Sequence, residues 1–176
     1  MLDLDIRSFF DEIGDHLMRA VRRHTDCPWV LLYLERWLRA PVSMPNGDLV
    51  DRASGTPQGA VVSPVLTNLF LHNEFDLWMQ REYPTIPFER YADDAICHCA
   101  SEAQALELRQ ALDQRFAACR LRLHPEKTKI VYCKDANRPG EYPERSFDFL
   151  GYTFRSRSAI GRNQKALCQL HPRGQR

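Results

Sequence analysis

Two pairs of aspartates stand out as groups that could do chemistry. Asp93 and Asp94 are adjacent in YADDAICHC, and Asp3 and Asp5 alternate with Leu2, Leu4 and Ile6 in LDLDI. Neighbouring like charges are unfavourable unless something positive lies beside them. The alternation turns Asp3 and Asp5 to one face of a strand. Taken singly, each pair has an ordinary explanation, since Asp is common in turns and on exposed strand faces. Together, carboxylates from two separate strand ends make a clamp for a hard divalent cation. Magnesium takes oxygen ligands and keeps several waters, so two or three carboxylates plus a substrate phosphate complete its shell. Two such ions ~4 Å apart stabilise the attacking and leaving oxygens of an in-line displacement.

These carboxylates need strands to hold them. LDLDI reads as a short strand, followed by a helix across 13–24. A second helix is expected over 28–39, with Asp26 as N-cap and Pro28 in its first turn. VSMPNGDLVDR carries an Asn46-Gly47 turn between two extended runs, a hairpin signal. GTPQGAVVSP is a loop of small residues leading to a helix capped by Ser63, with Pro64 in its first turn. Val65, Leu66, Leu69, Phe70 and Leu77 share one face of that helix, which is expected to be mostly buried. PFERYADDAICHC reads as two strands joined at the aspartates. Ser101 and Gln104 make a capping-box pattern ahead of a helix near 102–119, with Ala105, Leu108, Leu112 and Phe116 as its apolar stripe. TKIVYC and SFDFLGYTF are later strands, separated by the connection KDANRPGEYPER. From about Ser156 the chain is basic without a clear period. The order is mixed, so the fold class is α+β.

Composition agrees with a folded, charged protein. The chain has 176 residues, 44% of them hydrophobic, enough for a core. No apolar run approaches the ~20 residues needed to span a bilayer. MLDLDIRSFFDEI lacks a basic leader ahead of an apolar core, so it does not read as a signal peptide. The six cysteines form no CxxC pair, which argues against a zinc site or a disulfide framework. Reduced thiols in a cytoplasmic protein are the expected state. The net charge of +1 hides an asymmetry: 13 basic and 5 acidic residues from Arg120 onward, against 11 and 18 before it. A basic C-terminal third beside an acid-rich body suits a protein that binds polyanions and metals, and equally a solvated basic tail.

LDLDIRSFFDEI, GTPQGAVVSPVLTNLFLHNEFD, YADD, HPEKTKI and FLGYTF, in that order, resemble the motifs of bacterial reverse transcriptases, most closely the group II intron-encoded class. The resemblance spans residues 2 to 154. It implies a polymerase palm, an antiparallel sheet packed against helices. It also implies RNA-directed DNA synthesis, in which a primer 3′-oxygen attacks the α-phosphorus of a dNTP. Two Mg²⁺ ions would serve it, with Mn²⁺ able to substitute. Asp5 matches the metal ligand of the first motif and Asp93 that of the second. Asp94 supports the site, the Ile6 carbonyl completes one shell, and Asp3 is the competing candidate.

The same resemblance assigns the groups around the nucleotide. Phe10 matches the aromatic floor of the sugar pocket, where a ring leaves no room for a 2′-hydroxyl. Gln58 matches the residue that contacts the incoming nucleotide, and Arg7 would help neutralise phosphate. Lys127 matches a lysine beside the leaving pyrophosphate, where it donates a proton or offsets charge. Gly55 and Gly59 would let backbone approach nucleic acid. Leu150, Gly151 and Tyr152 match the hairpin that holds the primer end, and Arg155, Arg157, Arg162 and Lys165 would track phosphates.

Members of this family carry a fingers segment before the first of these motifs and a helical thumb after the last. The expected arrangement is therefore a partial reverse transcriptase palm over 1–155, then a basic tail over 156–176, flexible or the start of a thumb. Most of the fingers and thumb would be supplied by a longer natural protein. The implied partners are an RNA template, a DNA primer, dNTPs and an intron RNA, with no membrane. Three alternatives remain. One is an inactive remnant that keeps the fold and binds RNA or a protein. Another is a retron, diversity-generating or CRISPR-associated lineage. The third is an RNA-dependent RNA polymerase, which Phe10 disfavours.

Overall fold

A computed structural model describes residues 1–7, 15–44, 46–51, 61–133, 142–160 and 166–174. It combines helices with antiparallel sheets and divides into two compact units. The first comprises Met1–Asp5, Ile86–Ala111 and His124–Arg176; the second comprises Ile6–Thr85 and Leu112–Leu123.

The first unit is built on a four-stranded sheet. Its strands are β1 (Leu2–Leu4), β5 (Phe88–Tyr91), β6 (Asp94–Cys97) and β8 (Lys129–Ile130), in the order β5-β6-β1-β8. Alternation in LDLDI does what period two dictates: Leu2 and Leu4 are buried, while Asp3 faces the other way. β6 departs from alternation because Ala95, Ile96 and Cys97 are all buried. Ile96 is claimed by a second cluster with Val131 and Phe147, against which Met1, Phe149 and Phe154 pack. Phe147 belongs to β9 (Ser146–Phe149), which pairs with β10 (Tyr152–Ile160). Phe147 and Phe154 stack with ring centroids 5.1 Å apart. The basic segment beyond Ser156 continues β10, which pairs with β11 (Ala166–Gly174) in an antiparallel ladder.

In the second unit, α1 (Asp15–Arg22) falls inside the expected helix and packs against α2 (Pro28–Arg39) and α3 (Ser63–Leu71). Leu17, Ala20 and Val21, spaced three and four apart, are buried, as are Leu66, Phe70 and Leu71 on α3. The Asn46-Gly47 hairpin forms between β3 (Val42–Ser43) and β4 (Leu49–Val50), with Gly47 at φ +88°. Asn46 Oδ1 accepts from the Asp48 N–H at 3.1 Å, a side chain mimicking a backbone turn. α5 (Glu102–Ala118) begins in the first unit and ends in the second. Half of the expected capping box forms, the Gln104 N–H donating to Ser101 Oγ, while the return bond of Gln104 Oε1 goes to the Ala100 N–H, one residue earlier. Ala105, Leu108, Leu112 and Phe116 are each at most 1% exposed.

Some expectations need correcting. Cys27, not Asp26, caps α2, because Pro28 already occupies the first helical position and leaves Asp26 one residue too far out. Ser63 is itself the first helical residue, with Val62 as cap. The buried stripe of α3 runs through Ser63, Leu66, Thr67, Phe70 and Leu71, so Val65 is 66% exposed and Leu77 41%. A π turn over His72–Asp76 lies between α3 and α4 (Leu77–Glu82). Its wider turn moves Leu77 off the stripe. A two-residue strand β7 (Arg122–Leu123), too short to show a period, pairs with β2 (Ile6–Arg7). Among the described residues no helix is long and apolar enough to cross a membrane.

Candidate active site

Asp5 follows β1, and Asp93 and Asp94 lie at the turn between β5 and β6. That turn needs only Ala92 and Asp93 between the paired residues Tyr91 and Asp94. Ala92 takes φ +54°, and Arg90 Nη1 donates to the Ala92 carbonyl at 2.8 Å, which pins it. β1 pairs with β6 through Leu2↔Cys97, Asp3↔Ile96 and Leu4↔Ala95. One step further along this ladder, Asp5 comes opposite Asp94.

The electrostatics follow from that convergence. The Asp94 carboxyl is pushed above its ordinary range by partial burial first, then by the charges of Asp93 and Asp5, while Lys127 pulls it down. Lys127 Nζ donates to Asp5 Oδ2 at 3.1 Å. Asp94 therefore feels two further carboxylates and one ammonium, although the oxygens of Asp5, Asp93 and Asp94 do not all converge within 4.8 Å of one another, so an ion would have to draw these carboxylates together. Their donor atoms are all oxygens, the set that suits a hard divalent cation, and the residual negative charge gives such an ion a reason to bind.

The backbone of Asp5 is held firmly by residues far away in sequence. Its carbonyl accepts from the His124 N–H at 2.8 Å and from Thr128 Oγ1 at 3.2 Å. Thr128 Oγ1 also lies 3.4 Å from the Asp5 N–H. The turn His124–Thr128 is closed by the Thr128 N–H on the His124 carbonyl. His124 Nδ1 accepts from the Lys127 N–H at 3.3 Å, which orients the lysine. Thr128 is 3% exposed. Neither His124 nor Thr128 was singled out from sequence; the only available signal was their place on either side of Lys127.

Asp3 is a different kind of group. It shares its face with Ile96 on one neighbouring strand and Lys129 on the other. Asp3 is only partly exposed in this interior strand. Its carboxyl is pushed up to about 7, by burial first and then by Asp94, Asp148 and Asp5, against the pull of Lys129. The folded state thus holds this proton more tightly than the unfolded chain. The associated stability is complete below about 3.8 and is lost as pH rises through about 7. Asp3→Asn should therefore stabilise the protein by about 1–2 kcal/mol at pH about 8, discounted for partial exposure, and change little at pH about 4. Urea unfolding at the two pH values, without divalent ions, checks this.

The other candidates are placed as follows. Ile6 is buried and pairs with Leu123. Arg7 is exposed and lies directly across from Arg122, a like-charge pair that a bound anion would relieve. Leu150 and Gly151 form the two-residue turn between β9 and β10, both at positive φ, +53° and +76°. Leu150 and Tyr152 are about half exposed, and Arg155 is exposed. Phe10, Gly55, Gln58 and Gly59 lie outside the described residues, as do Arg162 and Lys165.

A leucine held in the left-handed region and left in solvent is a local conflict, since Asn fits that turn better. Leu150→Asn should raise stability by about 1 kcal/mol through relief of backbone strain. If the exposed leucine serves a nucleic-acid end, the same change weakens primer binding. A thermal melt and a primer-binding titration read the two effects separately.

Comparison with known proteins fits this geometry. The chain is similar to Protein YkfC of Escherichia coli (strain K12), 28% identical over 199 aligned residues, covering 92% of this chain and 48% of the other. The chain thus spans about half the length of the curated relative it matches. The family described as "Reverse transcriptase (RNA-dependent DNA polymerase)" matches residues 1–154, a range that contains the three carboxylates, Lys127 and the Leu150–Gly151 turn. By that match, the chain belongs to the reverse transcriptase family.

Proposed function

We propose that residues 1–155 are the palm of a group II intron-type reverse transcriptase, with DNA synthesis on an RNA template as its chemistry. The observation that carries this reading is the electrostatic coupling of Asp5, just past β1, to Asp94, at the start of the adjacent strand β6, with Lys127 bonded to Asp5. Two divalent ions, Mg²⁺ or in its place Mn²⁺, would neutralise charge on the reacting oxygens, and Asp5, Asp93, Asp94 and the Ile6 carbonyl are the oxygens that suit them. Asp5 holds its position because its main chain is fixed by His124 and Thr128. Lys127 offsets the charge of the departing pyrophosphate or gives it a proton. Arg7, with Arg122 across from it, offers guanidinium groups to phosphate. Leu150, Gly151 and Tyr152 present an exposed, strained turn to the primer end, and the basic strand after Arg155 continues along the duplex. Phe10 and Gln58 would select the sugar and the base pair.

Primer extension on an RNA template tests the reading, with dNTPs and Mg²⁺ or Mn²⁺, using this chain and a longer form that contains it. Incorporation of dNTPs by either one supports it. Absence of incorporation from both, with RNA binding retained, assigns the fold to a non-catalytic RNA-binding module instead. The group II lineage predicts an intron RNA fold flanking the reading frame. Its absence there would favour the retron, diversity-generating or CRISPR-associated lineages.

A further inference from the structure

The second unit contains a cavity of about 450 Å³ that the carboxylate site does not use. It is formed by α1, the π turn, α4 and the end of α5. Arg19, Arg23, Arg81 and Arg115 line it, with Glu74 as the carboxylate among the described lining residues, and Arg81 Nε also bonds the adjacent Glu82 at 2.7 Å. Trp78, half-buried, lines it as well, three residues before Arg81, so α4 offers an aromatic ring and a guanidinium on one face.

The polar scaffold of this cavity is built rather than incidental. The π turn over His72–Asp76 carries both Asn73 and Glu74. Such turns are rare and concentrate at functional sites. Asn73 is 6% exposed; its Oδ1 accepts from Arg23 Nη1 at 3.0 Å, and its Nδ2 donates to the Leu69 carbonyl. Glu74 fixes Arg115 twice, through its carbonyl at 3.0 Å and its carboxylate at 2.5 Å. It also accepts from Cys119 Sγ at 3.2 Å. Arg19 Nη2 bonds the ring of His16.

His16, Glu74 and Cys119 have donor atoms within 4.8 Å of one another, which raises the question of a metal. The surroundings argue for the opposite charge. The carboxylate is already bonded to a guanidinium, and Arg19 holds the imidazole. Burial first, then Glu74, pushes the Cys119 thiol up to about 12, so it keeps its proton. A cation entering here would meet four guanidiniums against two carboxylates, Glu74 and Glu82, a net positive field that favours an anion.

We propose that this cavity binds the phosphate of a nucleotide, with Arg19, Arg23 and Arg81 contacting the phosphate, Trp78 stacking on the base, and Glu74 holding Arg115 in place. The Trp78 ring is half-buried and meets Tyr83 with ring centroids 5.2 Å apart, so a base would stack on the part left open beside the basic groups, a combination that binds single-stranded nucleic acid with little sequence preference. The volume also suits one nucleotide unit. The phosphate could belong to an RNA strand or to a free mononucleotide, and the two sources are separable by experiment. The proposal is independent of polymerase activity.

The test uses the full chain in EDTA, so that the carboxylate site contributes no ion-dependent binding. A labelled oligo(U) RNA of about 12 nucleotides is titrated by fluorescence anisotropy at several KCl concentrations, and UMP by calorimetry. The variant Arg19→Gln/Arg81→Gln changes two exposed side chains, and its thermal melt verifies folding. If the phosphate is in a strand, RNA affinity falls at least about fivefold and the salt slope of log K shrinks by about 0.7 for each phosphate that is no longer neutralised. If the ligand is a free nucleotide, UMP affinity falls by a similar factor while RNA binding does not change. Unchanged affinity for both probes overturns the proposal. So does stoichiometric Zn²⁺ uptake, measured separately without chelator, that disappears in Cys119→Ser.

Discussion

Asp5→Asn is expected to cut dNTP incorporation by about 10²–10³-fold or more in any form of the protein that extends a primer. The substitution is nearly isosteric and removes only charge. The position of residue 5 should survive, because His124 and Thr128 bind its main chain and not its carboxylate. The broken Lys127 pair involves a lysine side chain that is 63% exposed, so it is worth at most about 1 kcal/mol. Folding should therefore be nearly unchanged while catalysis collapses. Mn²⁺ binding followed by electron paramagnetic resonance should weaken in parallel. The same assay on Asp3→Asn separates the rivals for the ligand role: Asp3→Asn should retain incorporation. Full activity in Asp5→Asn with loss in Asp3→Asn would reverse the assignment.

Phe116→Ala should destabilise the protein by about 3–5 kcal/mol. Phe116 is 1% exposed and meets Phe75 with ring centroids 6.2 Å apart. Phe75 is itself on the π turn, so the hole would open beneath the most irregular stretch of helix. Neighbouring side chains are then less able to collapse into it. Against a total of about 5–15 kcal/mol for an ordinary domain, this is enough to leave a large unfolded fraction. Leu106→Ala, on the same helix at 52% exposure, should shift stability by less than about 0.5 kcal/mol. Urea unfolding followed by circular dichroism compares the two.

The carboxylate pairs were legible because a strand's period of two is written directly in LDLDI, and the two residues Ala92 and Asp93 fit a tight turn. The helix over Glu102–Ala118 was legible for a similar reason: its capping box and apolar stripe are local. What sequence could not show is what happens across distance. Thr128 and His124 clasp Asp5 through main-chain bonds that no spacing rule announces. Asp3 and Asp5 look equivalent in the sequence, yet burial raises the first carboxyl while Lys127 pairs with the second. The π turn was invisible because HNEFD continues an ordinary helical pattern. β2 and β7 are two residues each, below the length at which alternation can be read. The sugar- and base-reading expectations at Phe10 and Gln58 lie outside the described residues and rest on the motifs alone.

β1 is an interior strand, paired with β6 on one side and β8 on the other. Met1 extends the second pairing, its carbonyl and amine both bonded to Val131. During synthesis Leu2–Leu4 leaves the ribosome long before either partner exists. The sheet cannot close until the segment through Val131 has emerged, so assembly is late and dominated by distant pairings, a slow route. Until then an apolar strand waits without neighbours, which leaves the nascent chain open to aggregation.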